Sequence, residues 1–134
     1  MDILVVDDDP SLQTLMSFVL ADVGNVRIVS DAAEAQRAIE VAMPDAVVLD
    51  VMLPGMTGTQ LLAEWRADAR TADLPVVLLT AMDRTEDRLA GAAAGADAYV
   101  TKPFDTELLC ALLEHMVQDR QDIRAEFLRE LSAL

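Results

Sequence analysis

Asp7, Asp8, Asp50, Thr80 and Lys102 each stand at the end of a short, largely apolar run in this 134-residue sequence. Carboxylates brought close together repel, and without compensation one of them has to stay protonated. A hard divalent cation removes the conflict. Oxygen ligands in octahedral geometry suit Mg²⁺, which also keeps several waters and takes a phosphate oxygen as ligand. Lys102 adds a positive point charge and Thr80 a hydroxyl donor. A carboxylate nucleophile, a metal, a lysine and a hydroxyl together make the requirements for phosphoryl transfer to an aspartate, in which the carboxylate attacks phosphorus in line while the cations offset charge on the equatorial oxygens. Asp50 is the candidate nucleophile, because it ends a central run and the loop Val51-Met52-Leu53-Pro54-Gly55-Met56-Thr57-Gly58 leaves it at a bend, open to a donor. Taken singly, each residue has a plainer reading. Asp7-Asp8-Asp9 could be a solvated turn, with Asp9 a helix cap; Thr80 could cap a strand and Lys102 could be a surface charge.

The elements that would gather these residues are legible from hydrophobic period. Strands are predicted over Ile3 to Val6, Val26 to Val29, Ala46 to Leu49, Val76 to Leu79 and Ala98 to Val100. Runs apolar on both faces suit a parallel sheet covered on both sides. Between them lie five helical segments. Asp9-Pro10 starts the first, with a stripe of Leu12, Leu15, Met16, Val19 and Val23 that Gly24 closes. Asp31 caps the second, which carries Ala35, Ala38 and Ile39 and ends before Pro44. The third begins near Thr57 to Thr59 and carries Leu61, Leu62 and Trp65. The fourth, from about Arg84 to Ala94, has an inner face mostly of alanine and stops at Gly95, so it buries little and is free to shift. Asp105 caps the fifth, where Leu108, Leu112 and Met116 alternate with Leu109, Leu113 and Val117. Five βα units imply right-handed crossovers and an α/β, doubly wound, five-stranded parallel sheet. Sites in such sheets lie at the carboxyl ends of the strands, where the five polar residues fall.

Composition narrows the function. The length is that of one domain, and 53% hydrophobic residues supply one core. A formal charge of −14, with no stripe of Lys and Arg, disfavours direct nucleic-acid binding by this chain. No apolar run approaches a membrane span, and no basic region with an apolar segment and cleavage site opens the sequence, so the chain is read as soluble and cytoplasmic. The single cysteine, Cys110, falls among helix-spaced leucines and reads as a small core or half-buried residue.

Four segments, in order and on matching elements, resemble the receiver domains of two-component response regulators: Ile3-Leu4-Val5-Val6-Asp7-Asp8-Asp9, the stretch from Val48 to Gly58, Leu79-Thr80-Ala81, and the stretch from Gly95 to Phe104. The resemblance covers about positions 2 to 118. It implies a flavodoxin-like (βα)5 fold and phosphate acceptance by Asp50 from a histidine on a sensor kinase or histidine phosphotransfer protein. It implies Mg²⁺ on Asp8, Asp50 and the main-chain carbonyl of Met52, with Asp7 assisting through water. By the same carry-over Thr80 follows the phosphoryl group, Tyr99 turns inward behind it, and the surface of the fourth helix, fifth strand and fifth helix is remodelled for an output partner. A cis peptide between Lys102 and Pro103 is also implied. Met52 and Met82 depart from fast-cycling members, which often carry polar residues there that seat the attacking water. The two thioethers are expected to shield the acyl phosphate and slow its loss.

Beyond about Gln118 the receiver pattern ends, and 119–134 is expected to be a helical extension with a stripe of Ile123, Phe127, Leu128, Leu131 and Leu134. It reads as a continuation of the fifth helix that packs on the domain or frays, a dimerising helix that would make a homodimer, or the start of a linker to a missing output or phosphotransfer domain. His115 has no organised acidic or basic shell that would suit a phosphohistidine, and Trp65 reads as a core anchor or helix-face residue and not as a binding platform. Three other readings compete. An aspartate-nucleophile phosphatase of the haloacid dehalogenase kind would need a second Asp where Met52 stands. A phosphorylation-independent interaction module with a degenerate switch would have lost some of the acidic set. A flavodoxin-like cofactor binder would need a glycine-rich loop after the first strand.

Overall fold

A computed structural model describes the backbone of residues 1–132 and the side chains of residues 1–119 and 129. Five strands form one sheet: β1 (Asp2–Val6), β2 (Asn25–Val29), β3 (Ala46–Leu49), β4 (Val76–Thr80) and β5 (Ala98–Thr101). Their order is β2-β1-β3-β4-β5, and every neighbouring pair is parallel. The helices are α1 (Pro10–Val19), α2 (Ala32–Val41), α3 (Gly58–Ala67), α4 (Thr85–Ala94) and α5 (Thr106–Ser132), with a short 3-10 turn at Leu20–Asp22. The doubly wound five-stranded parallel sheet read from the sequence is therefore the observed architecture. The stripe Ile123, Phe127, Leu128, Leu131 and Leu134 lies outside the described side chains.

Alternation along the strands divides the core in two. Leu4, Val6, Val47, Leu49, Val76 and Leu78 pack toward Ala35, Ile39, Leu61, Leu62 and Trp65 of α2 and α3. Ile3, Val5, Ala46, Val48, Val77 and Leu79 pack toward Leu12 and Met16 of α1, Leu20, and Leu109, Leu113 and Val117 of α5. Central strands β1, β3 and β4 are buried along these apolar residues, whereas the edge strands β2 and β5 are largely half-buried. The expectation of cover on both faces thus holds in the middle of the sheet and weakens at its edges.

Local signals set the helix ends. Asp9 accepts from the Ser11 N–H and Asp31 from the Glu34 N–H, and Thr57 and Gln60 form a reciprocal capping box. Asp105 Oδ1 accepts from the amides of Glu107 and Leu108. Gly95 ends α4 in the left-handed region at φ 99°, as a helix-closing glycine does. Gly24 differs from the expectation. It is not left-handed; a Cβ there would overlap the Met1 carbonyl, so close packing at the foot of β1 and not a helix cap calls for glycine. Leu15 and Leu108, placed in helix stripes from spacing alone, are 41% and 60% exposed and stand off the core.

α4 is the weakest-anchored helix. Its only buried residue is Gly91, and Leu89 is exposed. Trp65 is a core residue whose indole N–H donates to Gln36 Oε1 at 2.9 Å, the first of its two sequence readings. Lys102-Pro103 is cis.

Gly58 opens α3 against the end of β3. Its N–H donates to Val51 O, and a Cβ would press into the Asp50 carbonyl and the Val51 Cα. Gly58→Ala is therefore expected to destabilise the domain by about 1–3 kcal/mol through overpacking. Thr59→Ala, one residue on, should stay within about 0.5 kcal/mol of wild type. Urea unfolding of both variants checks this.

Candidate metal centre

Main-chain ladders run one residue past the strand ends. Asp7 N donates to Val29 O at 3.1 Å, Asp50 N to Val6 O at 2.9 Å and Lys102 N to Thr80 O at 2.9 Å. Side-chain alternation therefore continues into these residues. Asp7, Asp50 and Lys102 follow Val5, Val48 and Val100, the face covered by α1 and α5. Thr80 follows Leu78, and like Tyr99 it belongs to the opposite face. Register thus separates Asp7, Asp50 and Lys102 from Thr80 and Tyr99, and Asp8, one residue beyond Asp7 in the loop, joins the first group at its mouth.

The first group meets in a pocket. Asp7 and Asp50 are almost fully buried, at 2% and 6% exposure, while Asp8 is open to solvent. One carboxylate oxygen from each of the three lies within 4.8 Å of the others. The two buried carboxylates are held in the same way. Asp7 Oδ1 accepts from the Asp9 N–H at 2.9 Å, and Asp50 Oδ1 accepts from the Met52 N–H at 3.0 Å, each a turn closed two residues on. Their Oδ2 atoms share Lys102 Nζ, at 3.2 Å and 3.4 Å. Among the described residues, no hydrogen bond or ion pair reaches the Asp8 carboxylate.

The electrostatics follow from this packing. Burial pushes the Asp7 carboxyl above its ordinary range, and the neighbouring Asp50 charge adds to it, against the Asp9 N–H and Lys102. Burial alone would lower the Lys102 ammonium, but Asp50 and Asp7 outweigh it and hold it above its usual value. Three ionised carboxylates against one ammonium leave two negative charges uncompensated. The donor set is all oxygen, with an exposed carboxylate at the mouth, which fits a hard divalent cation such as Mg²⁺.

The second group meets at Met82. Thr80, fully buried, accepts from the Met82 N–H at 3.3 Å, and the Tyr99 phenol donates to the Met82 carbonyl at 2.7 Å. The Tyr99 ring fits because position 91 is glycine; a Cβ there would press on the ring and on Leu78. Arg88 lies 5.4 Å over the ring centroid. Burial, with Asp87 and Asp83 nearby, raises the phenol's pKa and keeps it a donor. Met52 is 60% exposed beside Asp50, and Met82 is half-buried against the core.

His115 is exposed and stands 3.2 Å from Asp119 one turn on, away from the pocket. Cys110 is half-buried with its Sγ near the Val19 carbonyl. Gln13 was not singled out by sequence, although its amide reaches the Asp7 carbonyl; one polar residue on a helix carries no signal of that contact.

An open parallel sheet with an acidic pocket on its carboxyl edge and a threonine–tyrosine pair beside it places the chain in a class. Residues 3–114 match the family described as response regulator receiver domain. The DNA-binding response regulator MtrA of Mycolicibacterium smegmatis is 41% identical over 127 residues, spanning 94% of this chain and 54% of that protein. A CheY-like response regulator receiver domain protein from Methanospirillum hungatei superposes with a TM-score of 0.83 at 26% identity, over 90% of this chain and 96% of the other. The receiver domain of the sensor histidine kinase PA1611 from Pseudomonas aeruginosa, described with a magnesium ion in its active-site cleft, gives a TM-score of 0.80 at 31% identity, over 87% and 97%. The chain belongs to the response regulator receiver domain family. It spans about half the length of the curated relatives it matches. Receiver domains are signalling modules of two-component systems. Among the described residues, no helix is long and apolar enough to cross a membrane.

The raised Asp7 pKa has a sign. The folded state holds that proton more tightly than the unfolded chain, so ionised Asp7 costs stability above its ordinary value of 3.8, fully once pH passes the raised value. In metal-free buffer, Asp7→Asn is expected to weaken the loss of Tm as pH rises through the carboxylate range. Mg²⁺ at about 100 times its Kd should add about 2.7 kcal/mol to wild type. Thermal melts from pH 4 to 8, with and without Mg²⁺, read both effects.

Proposed function

We propose that this domain receives a phosphoryl group on Asp50 from a phosphohistidine of a sensor histidine kinase or a histidine phosphotransfer protein. The observation that carries the reading is the state of Asp50: buried, its Oδ1 held by the Met52 N–H, and its Oδ2 facing Lys102 inside a three-carboxylate cluster. One oxygen is locked while the other is aimed. In the transfer, an Asp50 oxygen attacks phosphorus, the P–N bond breaks, and the imidazole leaves with the bonding pair. Lys102 stays within reach of both Asp50 and the incoming oxygens and offsets their charge. Asp7, Asp8, Asp50 and the main-chain carbonyl of Met52 would hold Mg²⁺, which supplies positive charge against the equatorial oxygens when bound.

The switch runs through the second group. On phosphorylation the Thr80 hydroxyl leaves the Met82 N–H for the phosphoryl oxygens, and the β4–α4 loop moves with the Tyr99 contact to Met82. α4 follows at little cost, since Gly91 alone is buried. The face of α4, β5 and α5, with exposed Leu89 and Leu108, then meets an output partner. That partner is a separate protein or a C-terminal effector domain; the DNA-binding names of the relatives support an effector that reads DNA, with no direct nucleic-acid contact by this acidic domain. Residues 1–118 make the receiver and 119–134 an extension that leads onward or pairs in a homodimer. The module works in the cytoplasm and turns over no external substrate. Met52 and Met82 keep water from the acyl phosphate, so the signal decays slowly.

Incubation with Mg²⁺ and acetyl phosphate should add one phosphoryl group to the intact mass of wild type and none to Asp50→Asn. Lys102→Ala should retain metal binding but lose most of the phosphorylation. For the lifetime, phosphoprotein is expected to persist for minutes or longer, and Met52→Asn to shorten its decay several-fold. Decay within seconds without a phosphatase would contradict the shielding role.

A further inference from the structure

We propose that Gln13 is a positioning residue for the acidic cluster, acting through the peptide that joins Asp7 to Asp8; this rests on reading that cluster as a divalent-cation site. Helical side chains lean toward the N-terminus, so Gln13, in the first turn of α1, reaches back over the β1–α1 loop. Its Nε2 donates to the Asp7 carbonyl at 2.6 Å and to Ser30 Oγ at 3.0 Å. The amide orientation is unambiguous, because a carbonyl oxygen only accepts.

The Asp7 carbonyl needs such a partner. The N–H of Asp7 continues the ladder to Val29 O, but beyond it the sheet ends and the chain turns into α1. Gln13 supplies the donor that the sheet no longer can, and thereby sets the orientation of the Asp7–Asp8 peptide. That orientation fixes where the buried Asp7 carboxylate and the exposed Asp8 carboxylate stand relative to Asp50.

Gln13 is itself anchored from outside. Ser30 N donates to Glu34 Oε2 at 2.7 Å, and Glu34 N donates to Asp31 Oδ1 at 2.8 Å. The first turn of α2 therefore holds Ser30, Ser30 holds Gln13, and Gln13 holds the ligand-bearing loop. Gln13 touches neither carboxylate nor any reacting atom, so its effect is on ligand placement. Outer partners of metal ligands commonly change affinity without changing the fold.

The test uses Mn²⁺ as probe, with free ion counted by electron paramagnetic resonance, in the full 134-residue chain. Gln13→Met keeps length and removes both donors; its Kd for Mn²⁺ is expected to rise about tenfold. Ser30→Ala, which removes only the outer anchor, should raise it about two- to threefold. Thr14→Ala, on the exposed face of the same helix, should match wild type. Unchanged affinity in Gln13→Met with native circular dichroism overturns the proposal. If that variant does not fold, unchanged affinity in Ser30→Ala overturns it. Absence of Mn²⁺ binding by wild type itself would remove the cation-site reading, and this inference with it, whereas wild-type binding with no effect of either variant removes the Gln13 role alone.

Discussion

Two buried carboxylates forced to share one ammonium dominate this structure. Asp7 and Asp50 stand at the ends of adjacent parallel strands β1 and β3, just beyond the paired residues Val6 and Leu49, and both turn an oxygen to Lys102. Burying Asp7, and setting it beside Asp50, raises its carboxyl above the ordinary range, and that shift expresses the cost of the arrangement. A site kept short of positive charge attracts whatever can supply it. Its oxygen donors, Asp7, Asp8 and Asp50, are of the kind that suits a hard divalent ion.

The sheet's alternation gives the second constraint. Because consecutive side chains leave a strand on opposite faces, the residues that would do the chemistry and those that would report it are sorted before any loop is considered. Asp7, Asp50 and Lys102 lie over α1 and α5, and Thr80 and Tyr99 lie toward α3 and α4. The two groups adjoin through the main chain of Thr80, whose carbonyl accepts from the Lys102 amide and whose hydroxyl accepts from Met82. The hydrogen-bonded path from the pocket toward the surface is therefore short. It leads toward α4, where Gly91 is the one buried residue.

Much of this was legible from residue types. The strands were readable because their runs are apolar on both faces, and the helix starts because Asp9, Asp31, Thr57 and Asp105 are strong N-terminal caps. The acidic cluster followed from topology, since a parallel sheet gathers the carboxyl ends of its strands on one edge. Three things were not legible. Leu15 and Leu108 share the period of their buried neighbours but sit at the rim of the helix face, and period does not resolve the width of that face. Gly24 looks like a helix-closing glycine, yet the contact that requires it is with Met1, far away in sequence. Gln13 is one polar residue on an amphipathic helix, and only the fold shows that it points at the Asp7 carbonyl.

The most direct measurement is a crystal structure of the protein grown with Mg²⁺ and beryllofluoride. The ion should lie among carboxylate oxygens of Asp8 and Asp50 and the Met52 carbonyl, with the beryllofluoride on Asp50 and Lys102 and Thr80 against its fluorines. A metal bound elsewhere, or an Asp50 carboxylate left bare while the three acids stand apart, would contradict it.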